Sequence, residues 1–217
     1  MITAASNSRI KRLVQLNQKS KLRRTEDVFL AEGVKMFLEA PREQLQEVYV
    51  SESFLEKCSC REHLGEVGYE VVSDSVFSKI SDTCTPQGVL CVLKQFHYNI
   101  EEMLRDKAPL FLLLENIQDP GNLGTMLRTG EGAGVSGIIM SRDTVDLYNP
   151  KVIRSTMGSI YRVPFYYADD FAAAVHQVQQ AGVSVYAAHL RGKNSYACQD
   201  YTKGCLLYTS PSPRDST

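Results

Sequence analysis

The sequence has no apolar run that approaches a membrane span. About 20 consecutive apolar residues are needed to cross a bilayer, and stretches such as Leu110–Leu114 are far shorter. The N-terminus lacks the apolar core of a secretory signal, so no targeting segment is read there. None of the six cysteines (Cys58, Cys60, Cys84, Cys91, Cys198 and Cys205) forms a CxxC pair. A zinc site and a disulfide framework are therefore not expected, and the thiols read as reduced cysteines of a cytoplasmic protein. Net charge is also missing: 24 Lys and Arg face 25 Asp and Glu, for a balance of −1. No global field draws this chain to nucleic acid.

The charge that is present is uneven. Arg9, Lys11, Arg12, Lys19, Lys21, Arg23 and Arg24 all precede the first acidic residue, Glu26. Such a cluster can contact phosphates. It can equally be a solvated basic helix. With 217 residues the chain suits one large or two small domains.

The N-terminal half alternates. A helix is expected over Ser6–Leu16, capped by Asn7 or Ser8, with Ile10, Leu13 and Val14 on its apolar stripe. Strands are expected at Glu47–Ser51, Val71–Val72 and Val89–Leu93, with helices between them. This pattern predicts a small α/β/α unit over residues 1–94. A linker covers 95–108. A second α/β unit covers 109–205 and opens on Leu110-Phe111-Leu112-Leu113-Leu114, a run that fits a strand buried on both faces of a parallel sheet. Its pattern is expected to stop near Cys205. Residues 206–217 (LLYTSPSPRDST) read as a non-native tail resembling a translated sequencing-adapter remnant, set aside from the fold.

The segment most informative about chemistry runs from Glu115 to Gly134. It follows the buried strand and opens a helix. Asp119-Pro120-Gly121 makes the turn and Asn122 is the expected N-cap. Arg128 falls off the buried face, with Glu131 beside it. Gly124, Gly130 and Gly132 lie in one short helix, at about 1 kcal/mol each against alanine. Either another backbone or a ligand must come close. Phosphates and anionic substrates favour such strand-to-helix junctions. The turn itself does not spell GxGxxG, so a Rossmann-like nucleotide enzyme is disfavoured.

The run DPGNLGTMLRTGEGAG resembles the first signature of the SpoU/TrmH RNA 2′-O-methyltransferases of the SPOUT superfamily. NPKVIRSTMGSIYRVP, from Asn149 to Pro164, resembles the segment that follows it. The opening, with SNSRIK and FLAEG, is similar to the family's N-terminal L30e-like substrate-binding domain. The resemblance implies an α/β protein with an L30e-like domain and a SPOUT (α/β knot) methyltransferase domain. It implies S-adenosylmethionine as cofactor, RNA (ribosomal rather than transfer) as substrate, and a homodimer. It assigns Arg128 and Asn122 to catalysis. Glu131, Arg154, Ser155 and Gly158 become candidates for the RNA-facing side, although Arg154 paired to a carboxylate in a packed loop explains that run equally well. Asn7, Lys11, Arg23, Arg24 and Lys35 are the RNA-contact candidates of the first unit. Two later signatures of the family, a glycine–glutamate segment and a Ser-Leu-Asn run, are not found. The expectation is accordingly a methyltransferase unit truncated before its knot, unable to bind the cofactor and left with an exposed sheet edge. The alternative from another class is a non-catalytic L7Ae/L30e-like RNA-binding module.

Overall fold

The computed structural model of the chain describes residues 1–57, 60–105, 107–187, 195–201 and 204–209. It divides into two compact units. The first joins Met1–Phe96 to Asp146–Tyr161; the second joins His97–Val145 to Arg162–Thr217.

The first unit carries helices α1 (Ser8–Gln18), α2 (Ser20–Glu26), α3 (Val34–Leu38), α4 (Glu52–Lys57), α5 (Arg61–Val67) and α6 (Asp74–Ile80). Its strands are β1 (Val28–Glu32), β2 (Leu45–Ser51), β3 (Glu70–Val72) and β4 (Val89–Lys94). They form one sheet in the order β1-β4-β2-β3, antiparallel except for the β2–β3 pair. Helix α1 starts at Ser8 because the Asn7 side chain accepts a hydrogen bond from Arg9 N at 2.9 Å. That satisfies an amide the helix leaves unbonded. Ile10, Leu13 and Leu16, at helical spacing, bury against Val76, Phe77, Ile80 and the sheet residues Leu30, Tyr49 and Leu90. The α/β reading of this half holds.

The second unit carries α7 (Ile100–Met103), β5 (Leu110–Leu114), α8 (Pro120–Ala133) and β6 (Gly137–Ser141). After the chain visits the first unit with α9 (Pro150–Thr156), β7 (Phe165–Ala168), α10 (Phe171–Gln180), β8 (Ser184–Ala187) and β9 (Cys205–Thr209) follow. The sheet order is β7-β6-β5-β9-β8 and every pairing is parallel. Phe111 and Leu113 of β5 pack with Ile139, Ala174, Val178 and Leu206. Leu114 is buried as well, as the apolar run implies for a strand covered on both faces.

One expectation changes here. The sheet does not end near Cys205: β9 runs to Thr209 and lies between β5 and β8, with Leu206 opposite Phe111 and Val185. Cys205 and Leu206 are fully buried. A strand of five residues entered from a polar loop shows too little periodicity to be read alone. The part of the expected tail from residue 210 to 217 lies outside the described residues. Within this chain order the packing interleaves, because Asp146–Tyr161 folds with the first unit. Aromatic packing explains why. The Tyr148 ring sits 4.9 Å from that of Phe29, and its hydroxyl accepts from Phe96 N at 2.7 Å. The Tyr161 hydroxyl donates to Met36 O at 3.0 Å. Among the described residues no helix is long and apolar enough to cross a membrane.

Candidate functional site

Helix α8 starts earlier than its sequence suggests. Asp119, not Asn122, is the N-cap: its carboxylate accepts from Asn122 N at 2.7 Å, and Pro120 occupies the first helical turn. Proline suits that position, since it has no amide to leave unsatisfied. The Asp-Pro pair was the available signal. Asn122 thus lies inside the first turn with an exposed side chain. The helix ends at Gly134, whose left-handed φ of 72° closes the last turn.

The glycines of α8 divide by face. Gly124 and Gly130 are buried with Leu123 and Leu127. A Cβ on Gly130 would stand 3.1 Å from Val135 and 3.7 Å from Ile138, so this glycine serves close packing. A Cβ on Gly132 would meet nothing within 4 Å. That side of the helix is open. Gly132–Gly137 does spell GxGxxG, but it leads from a helix into β6. The dinucleotide motif needs the opposite polarity, strand into helix.

Arg128 is exposed on the open side, four residues before Gly132. Its guanidinium takes part in none of the ion pairs or hydrogen bonds found among the described residues. Asn122 is six positions away. That spacing is roughly 9 Å along the helix and about a third of a turn around it. Arg128 and Asn122 therefore occupy different faces. What the structure brings beside Arg128 instead is Glu131, three residues on, joined to Arg162. Arg162 Nε donates to Glu131 Oε1, and its Nη2 lies 3.4 Å from Oε2. Arg162 stood in the second matched run without drawing attention as a site residue.

The other candidates sort by burial. Arg23 is corrected: its guanidinium is 3% exposed and donates to Leu16 O at 2.6 Å and to Asp146 Oδ2 at 2.6 Å. It is a buried structural cation. Asn7 is engaged as the cap of α1. Lys35 lies 3.6 Å from Glu39. Arg9 and Arg12 pair with Glu70, Glu26 and Glu47. Lys11 and Arg24 remain exposed cations. Arg154 pairs with Asp82, Nη2 to Oδ2 at 3.0 Å, and also donates to Asp82 O, which is the packed-loop alternative. Ser155 donates to Val152 O at 2.8 Å. Gly158 is buried, and its φ of 99° favours glycine. These three belong to the first unit, whereas Arg128 and Glu131 belong to the second.

A hollow of about 750 Å³ opens at the carboxyl ends of β5, β8 and β9, lined by Glu115, Asp169, Asp170, Phe171, Val175 and Tyr208 among others. Ligands of open parallel sheets bind at this end, and the volume is that of a small-molecule site. Its carboxylates are engaged: Tyr208 donates to Glu115, Arg142 pairs with Asp169, and Asp170 caps α10 by accepting from Ala173 N at 2.9 Å.

The chain thus combines a parallel α/β unit, the kind of sheet that binds ligands at its strand ends, with a mixed-sheet unit of similar size. Comparison with known proteins makes this specific. The model of the SpoU rRNA Methylase family matches residues 109–208. That of the MRM3-like substrate binding domain matches residues 7–91. A 23S rRNA guanosine 2′-O-methyltransferase of Bacillus subtilis, RlmP, is 31% identical over 198 residues, covering 90% of this chain and 75% of that protein. The human mitochondrial rRNA methyltransferase 3 is 41% identical over 88 residues, which is 39% of this chain and only 21% of the human protein. An AdoMet-bound rRNA methyltransferase from Sinorhizobium meliloti superposes with a TM-score of 0.81 at 27% identity, covering 98% of this chain and 81% of that one. This chain belongs to the SpoU methylase family.

Proposed function

We propose that the chain acts in S-adenosylmethionine-dependent methylation of a ribose 2′-hydroxyl in ribosomal RNA. The observation that carries this reading is Arg128: an exposed guanidinium with no ion pair or hydrogen bond among the described residues, beside an open helix face, in the run that matches the family. Methylation of rRNA by the relatives supports the substrate. An RNA-binding module without catalysis would leave Arg128 unexplained.

S-adenosylmethionine, when bound, supplies a methyl group made electrophilic by its sulfonium. Although the chain lacks the two later family signatures from which a loss of cofactor binding was expected, the donor set of the hollow fits such a group. The cofactor carries a net positive charge, and the hollow presents Glu115, Asp169 and Asp170 with apolar walls from Phe171, Val175 and Val185. Those carboxylates would hold the cationic end and those walls the base.

A guanidinium stays protonated at neutral pH, so Arg128 is no general base. It clamps a phosphate next to the target ribose with two parallel N–H donors. It also stabilises the negative charge that develops on the 2′-oxygen. Lys11 and Arg24 would hold RNA by its phosphates and carry little sequence information. The reading includes the family's homodimer and a cytoplasmic location; the free thiols of Cys60, Cys84, Cys91, Cys198 and Cys205 support the latter.

The test is transfer of labelled methyl to unmodified ribosomal RNA. Arg128→Lys is expected to lower turnover about 100-fold, the typical cost of one lost transition-state donor. Near-normal turnover of that variant would overturn the guanidinium role, and no transfer by the unaltered chain would overturn the activity. Calorimetric titration with S-adenosylmethionine tests the hollow separately. Micromolar affinity lost in Phe171→Ala supports it; no heat removes the hollow from the reading.

A further inference from the structure

This inference rests on the role given to Arg128 above. Arg128 and Glu131 are three residues apart on α8, which makes them neighbours on the helix surface. Opposite charges at that spacing attract, so an unoccupied Glu131 carboxylate would draw the Arg128 guanidinium onto itself. The structure shows the carboxylate occupied. Arg162, thirty-one residues on and just before β7, reaches both of its oxygens. A guanidinium contacting two carboxylate oxygens is the geometry that best satisfies both partners. The Glu131 and Arg162 side chains are 33% and 45% exposed, so neither is locked by packing. Charge satisfaction rather than burial sets their orientation.

We propose that Arg162 is a positioning residue: it holds the Glu131 carboxylate away from Arg128, leaving that guanidinium available to an RNA phosphate. Glu131 then serves as the attachment point for Arg162 and not as an RNA ligand. The same pair ties α8 to the segment entering β7, both within the second unit.

A charge-reversal-free cycle tests this. Binding of a fluorescein-labelled hairpin of unmodified ribosomal RNA is followed by anisotropy with the full chain and its variants Arg128→Gln, Arg162→Gln, Glu131→Gln and Arg162→Gln/Glu131→Gln. Arg162→Gln is expected to weaken binding about fivefold, or about 1 kcal/mol. The double variant is expected to recover affinity to within about twofold of the unaltered chain. A structural role for the ion pair predicts no such rescue, because the double variant also lacks it. Full affinity in Arg162→Gln, or no recovery in the double variant, would overturn the proposal. If Arg128→Gln binds RNA normally, the reading of Arg128 fails, and the positioning role falls with it. The Arg128 Nε–Hε resonance gives a readout that needs no RNA: it should move in Arg162→Gln and return in the double variant. An unmoved resonance counts against the proposal.

Discussion

Arg23 and Asp146, 123 residues apart in the chain, meet at 2.6 Å inside the first unit. The arginine is 3% exposed and the aspartate 29%. This contact ties α2 to the returning segment that precedes α9. Removing one partner of a buried ion pair commonly costs about 3–5 kcal/mol, because a charge is left uncompensated. Asp146 is partly solvated, so Asp146→Ala is expected to cost less, about 2 kcal/mol. Urea unfolding followed by circular dichroism measures it. A change under about 0.5 kcal/mol would show that the carbonyl contacts of Arg23 suffice alone.

The two glycines near Arg128 should respond oppositely to alanine. Gly132 faces open space, so Gly132→Ala is expected to stabilise the chain by roughly 0.5–1 kcal/mol through helix propensity. Gly130→Ala places a methyl 3.1 Å from Val135, and the resulting displacement is expected to cancel that gain or reverse it. Thermal melts of the two variants decide the matter. Equal shifts would mean that Val135 moves aside without cost.

The thiols offer a test of burial. Cys84 and Cys198 are exposed, whereas Cys60, Cys91 and Cys205 are buried. Burial pushes the Cys91 thiol well above its ordinary range, and Cys205 upward as well. The thiolate is the reactive form. Brief iodoacetamide treatment at pH 8 should therefore label Cys84 and Cys198 and spare Cys91 until the chain unfolds. Mass spectrometry of the digested protein reads this directly. Early labelling of Cys91 would contradict the packing of β4.

Asp74 gives a pH dependence. Hydrogen bonds from Ser53 Oγ at 2.8 Å and Ser53 N at 3.2 Å hold its carboxyl below the usual carboxylate range. A group whose folded value is depressed contributes stability above its unfolded value and loses it as pH falls through the folded one. The contact should thus help hold α4 near the start of α6 at neutral pH and fade in acid. Ser53→Ala is expected to raise the Asp74 titration midpoint in carbon-detected NMR. It should also move the acid-unfolding midpoint slightly upward. The stability effect is small because the group is exposed.

Much was legible from residues alone. Local rules are sufficient where one segment satisfies itself. Asn7 caps α1, Ile10, Leu13 and Leu16 share one helical face, and Leu110–Leu114 is apolar on both sides of a strand. The α/β class and the run containing Arg128 follow from such patterns. Tertiary structure alone decided which charges remain available. Arg23 and Arg24 are adjacent and chemically identical, yet one lies buried against Asp146 and the other is exposed. Arg154 is taken by Asp82, and Glu131 by Arg162. The return of Asp146–Tyr161 to the first unit, and the place of β9 between β5 and β8, likewise depend on partners far away in sequence. The physical reason is common to all of these. Helix and turn preferences act over a few residues, but desolvation and ion pairing depend on which distant atoms exclude water. No local pattern encodes that.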